Sequence, residues 1–319
     1  MIRTEGISKA FGGNKKQPVI HAVEDLNLDI QQGEVFGFLG PNGAGKTTTV
    51  RMLCALIGPT SGHAWVNNYE IGRQSQLVRA SVGILTEQPG MYDRLSAEKN
   101  LTIYARLYGV KDVPGQVEKY LRMLGLWERR KDPAGSFSKG MKQKLAIARA
   151  ILHEPATLFL DEPTAGLDPE ASKLVRDFVE ELKTEGRTIF LCTHNLDEAD
   201  RLCSQIGVFK QRLIKVDTPS RMKTAVFGRQ VEFRLKQTEP SLMTLVKRFD
   251  FVKQSALEDR RLILGLENPE ESNPIVVKAL VEAGFEVQFV SEVRHSLEDV
   301  YFSLINDGNN HEEASHGTR

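Results

Sequence analysis

The stretch "GPNGAGKTTT", Gly40 to Thr49, fits the pattern G-x-x-x-x-G-K-[ST] and decides the fold of this chain. Its glycines let backbone N–H groups converge on phosphate oxygens, and the helix that follows directs its positive end at the same anion. In this pattern the lysine, Lys46, reaches the β- and γ-phosphates, and the Thr47 hydroxyl is a ligand of Mg²⁺. The sequence therefore predicts a loop that binds a nucleotide.

The segments on either side of the loop support this interpretation. "VFGFL" before it predicts a buried strand, and "TTTVRMLCALIG" after it predicts an amphipathic helix. The alternative, a glycine turn that fits the pattern by chance, does not explain this context. The helix is expected to bury Val50, Leu53, Leu56 and Ile57 on one side. The nucleotide is expected to contact Gly40, Pro41, Asn42, Gly43, Ala44, Gly45, Lys46, Thr47 and Thr48.

A second element of the site is predicted in "ATLFLDEP", Ala156 to Pro163. Four apolar residues place Asp161 at the end of a buried strand, where its carboxylate can hold the Mg²⁺ shell. Glu162 follows directly and can polarise an attacking water. Two adjacent acids at a strand end could instead belong to a solvated turn or a helix start, and the presence of the glycine loop argues against this alternative.

The distribution of apolar runs predicts an α/β fold in two domains. Continuous runs such as "EVFGFLG" and "TIFLCTH", separated by helical stretches, are typical of buried parallel strands, whereas "EDLNLDIQ" alternates as a half-buried strand does. We expect one domain over 1–218, with a helical subdomain at about 89–150. A small α/β domain is expected over 219–306, and the polar tail 307–319 is expected to be disordered.

Composition excludes several classes of protein. The 319 residues carry no formal net charge, so nothing overall suggests a nucleic-acid partner. No apolar run approaches the roughly 20 residues that cross a bilayer, and the first residues lack the apolar core of a signal peptide. Three scattered cysteines, Cys54, Cys192 and Cys203, lie in apolar runs and are expected to be reduced core residues.

The segment "FSKGMKQKLAIARA" identifies the chain, over residues 1 to about 218, as similar to the ATP-binding subunits of ABC (ATP-binding cassette) transporters. The family's signature is usually Leu-Ser-Gly-Gly-Gln. Ser138 and Gly140 keep their places here, while Lys139 replaces the first glycine and Met141 replaces the glutamine. Ser138 stands where an N-cap would open a helix whose inner face includes Met141, Leu145, Ala148 and Leu152.

The resemblance implies roles for further residues. "TAGLD", which ends at Asp168, matches the family's D-loop, and His194 in "THNLDEAD" matches the switch histidine that faces the γ-phosphate. Phe11 occupies roughly the place of the aromatic residue that stacks on adenine, although a core phenylalanine fits there as well. The Q-loop position falls on Glu87, with Gln88 next, and the sequence leaves open which of them serves.

The resemblance also implies a function. The fold would be a P-loop ATPase domain of the ABC type with a helical signature subdomain, plus the small C-terminal α/β domain. Two ATP-binding subunits, identical or different, would stack head to tail so that the signature of one closes on Mg-ATP held by the other. Hydrolysis would drive efflux through a separately encoded transmembrane permease, with the chain peripheral at the cytoplasmic face of the membrane.

Other functions fit the sequence less well. Non-transport ABC proteins that act on ribosomes usually carry two cassettes in one chain, and only one glycine loop occurs here. Those that act on DNA separate their cassette halves by long coiled coils, which are not visible between Thr47 and Ser138. A GTPase or kinase with a P-loop would leave "FSKGM" and "THNLDEAD" unexplained.

Overall fold

The computed structural model describes residues 1–13, 18–86 and 90–305. It divides into two compact units, Met1–Thr218 and Pro219–Arg319. No helix of the described residues is both long enough and apolar enough to span a membrane.

The described residues of the first unit form ten strands and seven α-helices, numbered in chain order. The strands are β1 (Ile2–Phe11), β2 (Ile20–Ile30), β3 (Val35–Leu39), β4 (Ser61–Val66), β5 (Tyr69–Glu70), β6 (Val82–Leu85), β7 (Thr157–Asp161), β8 (Thr188–Thr193), β9 (Gln205–Lys210) and β10 (Arg212–Asp217). The helices are α1 (Lys46–Leu53), α2 (Ser75–Ser81), α3 (Ala97–Leu107), α4 (Val113–Met123), α5 (Lys139–Ile151), α6 (Pro169–Thr184) and α7 (Leu196–Leu202).

The central sheet of this unit has the order β10-β9-β3-β8-β7-β6. Strands β9, β3, β8, β7 and β6 are parallel, and β10 is an antiparallel edge strand. All residues of β3, β7 and β8 are buried, as expected for strands covered on both faces. The carboxyl ends of these three strands lead to the glycine loop, to Glu162 and to His194. The topology thus brings the glycine loop, Glu162 and His194 to the same end of the sheet, at the carboxyl ends of adjacent strands.

A second sheet is antiparallel, with the order β2-β1-β4-β5. Strand β2 alternates as predicted, since Leu26, Leu28 and Ile30 are buried between exposed neighbours. These residues join one core that includes Phe38 and Phe190, whose ring centroids lie 5.2 Å apart. One continuous core therefore fixes the second sheet to the central one.

The helix after the glycine loop is shorter than the sequence predicts. Helix α1 ends at Leu53, because Ala55 adopts a left-handed φ of 52° and the Leu56 N–H donates to the Arg51 carbonyl. This reversal is a common way to satisfy the last carbonyls of a helix. The prediction that Leu56 is buried is wrong, since its exposed fraction is 54%. The other three predicted positions face the core: Val50, Leu53 and Ile57.

The region between β6 and β7 is mainly helical, with α3, α4 and α5 packed against one another. Each helix begins with a side-chain cap, from Ser96, Asp112 and Ser138 respectively. The predicted inner face of α5 is buried at Leu145, Ala148 and Leu152. Met141 is only half buried, because it lies in the first turn.

The second unit is a small α/β fold. Its helices are α8 (Pro219–Phe227), α9 (Ser241–Val246) and α10 (Pro269–Glu282), and residues 297–305 are also helical. Its strands are β11 (Gln230–Leu235), β12 (Val252–Glu258), β13 (Arg261–Leu266) and β14 (Val287–Glu292). They form an antiparallel sheet with the order β12-β13-β11-β14, and apolar residues of the strands and of α9 and α10 form a separate core.

We expect the first unit to fold and bind nucleotide without the second, because each unit has its own core. A chain truncated after Thr218 should bind a fluorescent ATP analogue with a Kd within about threefold of the parent, less than about 1 kcal/mol. Circular dichroism of the truncated chain is the control for folding. A folded truncated chain that no longer binds nucleotide would contradict this division.

Candidate functional site

The glycine loop encloses a cavity of about 300 Å³. The cavity is lined by Ala22, Pro41, Asn42, Gly43, Ala44, Gly45, Lys46, Thr47, Thr48, Asp161 and Glu162. The loop depends on glycine at Gly45, whose φ is +104° and where a Cβ atom would lie 2.1 Å from the Ala22 carbonyl oxygen. Strand β2 therefore forms one wall of the cavity, a contribution that the sequence did not reveal.

Lys46 is buried at the start of α1. Its Nζ donates to the carbonyl oxygens of Gly40 at 2.6 Å and of Pro41 at 3.2 Å. These bonds hold the ammonium inside the curve of the loop, next to the free N–H groups at the helix start. The arrangement places one full positive charge and the positive end of a helix dipole on the same cavity. Such a cavity suits a phosphate chain.

Thr47 and Asp161 both line the cavity and are hydrogen-bonded to each other. The Thr47 hydroxyl donates to Asp161 Oδ2 at 2.9 Å, although 114 residues separate them in the chain. A hydroxyl and a carboxylate are both hard oxygen ligands, and Mg²⁺ typically takes one or two protein ligands of this kind together with substrate phosphates. Among the described residues no cluster of three or more His, Cys, Asp or Glu side chains could hold a metal alone. The donor set therefore fits Mg²⁺ that arrives with a nucleotide.

Glu162 and His194 form a pair beside this donor set. His194 Nδ1 lies 2.7 Å from Glu162 Oε2, and the imidazole is 64% exposed while the carboxyl is 14% exposed. Carboxylate oxygens accept hydrogen bonds and either imidazole nitrogen can carry a proton, so this contact suits a hydrogen bond donated by Nδ1 of His194 to Glu162. Glu162 also has a left-handed φ of 52°, and its N–H donates to the Cys192 carbonyl at 2.9 Å. Strained backbone of this kind is concentrated at functional sites.

The cysteines near the site are inert. All three are buried and free, as the sequence predicted. Burial raises the pKa of the Cys192 thiol well above its usual range, and the neighbouring Asp161 charge adds to this effect. Burial likewise raises the pKa of Cys203 to about 12. Burial and the raised pKa therefore disfavour the reactive thiolate form of Cys192 and Cys203 at neutral pH.

The signature residues lie elsewhere on the unit. Ser138 caps α5, and its Oγ accepts a hydrogen bond from the Met141 N–H at 3.2 Å. Ser138 and Lys139 are exposed, Gly140 and Met141 are half buried, and none of the four lines the glycine-loop cavity. The Lys139 ammonium lies against Gly166 in the segment before Asp168. Within one chain the structure therefore does not bring the signature to the phosphate cavity.

Four further predicted residues have different outcomes. Asp168 caps α6, since its Oδ1 accepts from the Ala171 N–H at 2.8 Å. Phe11 ends β1 with an exposed fraction of 45%, and it is not among the residues lining the cavity. Glu87 and Gln88 lie outside the described residues.

The loop after Glu162 is supported by Thr164 of the D-loop segment and by three polar side chains that the sequence did not single out: Gln143, Arg176 and Glu198. Gln143 Nε2 donates to the Pro163 carbonyl at 2.7 Å, which joins the signature helix to this loop. The Thr164 hydroxyl donates to Glu198 Oε2 at 2.8 Å, and Arg176 donates to the other oxygen of that carboxylate. The only sequence signal for them is the acidic segment after His194.

Comparison with known proteins agrees with this geometry. The family model described as ABC transporter matches residues 23–165. The chain is 34% identical over 311 residues to the bacitracin transport ATP-binding protein BcrA of Bacillus licheniformis, covering 97% of this chain and 98% of that protein. It is 32% identical over 318 residues to the daunorubicin resistance ATP-binding protein DrrA3 of Streptomyces coeruleorubidus, covering 98% of each.

A solved structure titled as the ATP binding subunit of an ABC transporter has the same fold. It superposes with a TM-score of 0.64 and 30% sequence identity, covering 71% of this chain and 93% of that chain. The glycine loop, the acidic strand end and the relatives over nearly the full length agree. This chain belongs to the ABC transporter family, as one of its ATP-binding proteins.

Proposed function

We propose that this chain is the ATPase subunit of an ABC exporter, and that it hydrolyses Mg-ATP at an interface between two such subunits. The observation that carries the proposal is the position of Glu162, which is paired with His194 at 2.7 Å and lines the same cavity as Lys46, Thr47 and Asp161. A base, a metal-binding pair and a phosphate-binding loop thus share one cavity.

The reaction is transfer of the γ-phosphoryl group of ATP to water. Glu162 orients and polarises the water, and its hydrogen bond to His194 holds the carboxylate in place. Lys46 and the N–H groups at the start of α1 stabilise the charge on the phosphates. Mg²⁺, when bound at Thr47 and Asp161, supplies further neutralisation of the β- and γ-phosphate charge. Phe11 is proposed to stack on the adenine ring, since its ring is exposed at the end of β1.

The signature supports a dimer. Ser138 is exposed and Gly140 is half buried at the start of α5, and neither lines the cavity of its own chain. The first N–H groups of a helix have no partner within the helix and can bind an anion. A head-to-tail pair with two-fold symmetry would place them on the phosphates held by the second subunit. ATP would then close the pair, and hydrolysis would allow it to open.

Export through a separate permease is supported by the relatives. One is named for bacitracin transport and another for daunorubicin resistance. The first name states transport and the second states resistance, and neither supports action on ribosomes or DNA. The chain would act at the cytoplasmic face of the membrane, bound to the permease. The surface after residue 90, which exposes Tyr92, is proposed to face that partner.

Affinity purification tests the proposal. The tagged chain, extracted with detergent from membranes of its own organism, should co-purify with a protein that has several membrane spans. Its ATPase activity in that complex should be measured with and without bacitracin and daunorubicin, the compounds for which the two relatives are named, and stimulation by either would identify a candidate substrate. Recovery of the chain with ribosomes or DNA, without a membrane protein, would overturn the exporter assignment.

A further inference from the structure

Glu198 is a buried carboxylate outside the phosphate cavity. It lies in the first turn of α7, four residues after His194, and its side chain is only 3% exposed. One carboxylate oxygen accepts from Arg176 Nη1 at 3.2 Å, and the other accepts from the Thr164 hydroxyl at 2.8 Å. A buried carboxylate needs such partners, because an unpaired one would be strongly unfavourable.

The two partners of Glu198 have different consequences. Arg176 lies in the middle of α6, so this ion pair joins two helices. Thr164 instead lies two residues after Glu162, in the loop that carries the proposed base. The charge of Glu198 is already balanced by Arg176, so the bond from Thr164 is not needed to neutralise it. Its effect is to fix the loop.

Glu198 is also tied to the loop that carries His194. Its backbone N–H donates to Asn195 Oδ1 at 3.2 Å, and the Asn195 N–H donates to Thr193 Oγ1 at 2.9 Å. Residues on both sides of His194 are therefore part of one hydrogen-bonded unit with Glu198. The contact between Glu162 and His194 joins the same two loops directly.

We infer that Glu198 is a positioning residue for hydrolysis. It holds the Glu162 loop and the His194 loop at a fixed separation, through the hydroxyl of Thr164 on one side and the start of α7 on the other. This inference rests on the proposed ATPase function. A role in stability alone would need only the Arg176 pair, so Thr164 distinguishes the two possibilities.

The test is Thr164→Val, which removes the hydroxyl and leaves the Glu198–Arg176 pair in place. Because displacement of a catalytic group by about 1 Å can cost as much as 10²-fold in rate, kcat for Mg-ATP is expected to fall by about 10-fold. The KM for ATP should stay within about twofold, since the phosphate-binding residues are unchanged. Thr164→Ser, which keeps the hydroxyl, should restore kcat.

Thr102→Val is the matched control. The Thr102 hydroxyl donates to the Glu98 carbonyl inside α3. Thr102→Val therefore also removes one hydroxyl hydrogen bond, but in a helix that carries none of the proposed site residues. Its kcat should equal that of the parent. Parent kcat in Thr164→Val, or an equal loss in Thr164→Ser and Thr164→Val, would overturn the inference. Absence of ATPase activity in the parent complex would overturn the proposed function instead.

Discussion

Glu162→Gln is expected to lower the turnover of Mg-ATP by about 10²–10⁴-fold, the usual cost of removing a general base. Glutamine has nearly the same size as glutamate, and the left-handed backbone at this position is held by the bond to the Cys192 carbonyl. Folding and ATP affinity should therefore be retained. Turnover and equilibrium binding of ATP, measured on the same preparation, check the result.

The same substitution should stabilise the ATP-bound pair of subunits. It removes a negative charge from the neighbourhood of the γ-phosphate, a repulsion of roughly 4 kcal/mol at about 4 Å and an effective dielectric constant near 20, before screening. Size-exclusion chromatography should show a dimer with ATP and a monomer with ADP. Hydrolysis at the parent rate would contradict the role of Glu162, whereas a monomer with hydrolysis lost would contradict only the dimer of free subunits.

Lys46→Ala is expected to have the second large effect, on ATP binding and also on hydrolysis, because Lys46 stabilises the phosphate charge in both steps. The ammonium is buried at the cavity, and its hydrogen bonds to the Gly40 and Pro41 carbonyls hold it in place before ATP binds. A phosphate group that enters the cavity is therefore attracted by a positive charge whose position is already fixed. Loss of a buried charge partner typically costs about 2–5 kcal/mol, which corresponds to a Kd for ATP raised by about 30-fold or more.

Calorimetric titration with ATP in the presence of Mg²⁺ measures the effect of Lys46→Ala. Lys173→Ala, at an exposed position in α6, is the matched control and should bind ATP like the parent. An unchanged Kd for ATP in Lys46→Ala would contradict the claim that the glycine loop binds the phosphates.

Features encoded by short stretches of sequence could be predicted. The glycine loop with its strand and helix, the cap at Ser138 and the burial of β3, β7 and β8 all follow from local pattern. In the second unit the segments "VEFRLK", "RRLILGL" and "FEVQFV" indicate strands, and "SLMTLVKRF" and "NPIVVKALVEAG" indicate helices. The structure contains each of them, as β11, β13, β14, α9 and α10. Local propensity and apolar periodicity decide these elements, so no distant contact is needed to recognise them.

Features that depend on distant contacts, or on local sequence that departs from the usual pattern, could not be predicted. The sequence gives no sign that Thr164 meets Glu198, since 34 residues separate them. Strand β12 was missed because "VKQSALE" has little apolar character. The end of α1 at Leu53 was missed because Ala55 takes the left-handed conformation in which glycine is the usual residue. The loop that supports Glu162 likewise becomes visible only in the folded chain.

The central claim is that each ATP is hydrolysed between two subunits, and mixing two inactive variants tests it most directly. Lys46→Ala disables the phosphate cavity, and Ser138→Arg blocks the signature at an exposed position. In a mixed pair, one composite site would combine both defects and the other would be intact. An equal mixture should therefore recover about a quarter of the parent ATPase activity with random pairing, although each variant alone is nearly inactive. If both variants stay folded and the mixture stays inactive, hydrolysis does not occur at a site shared between two chains.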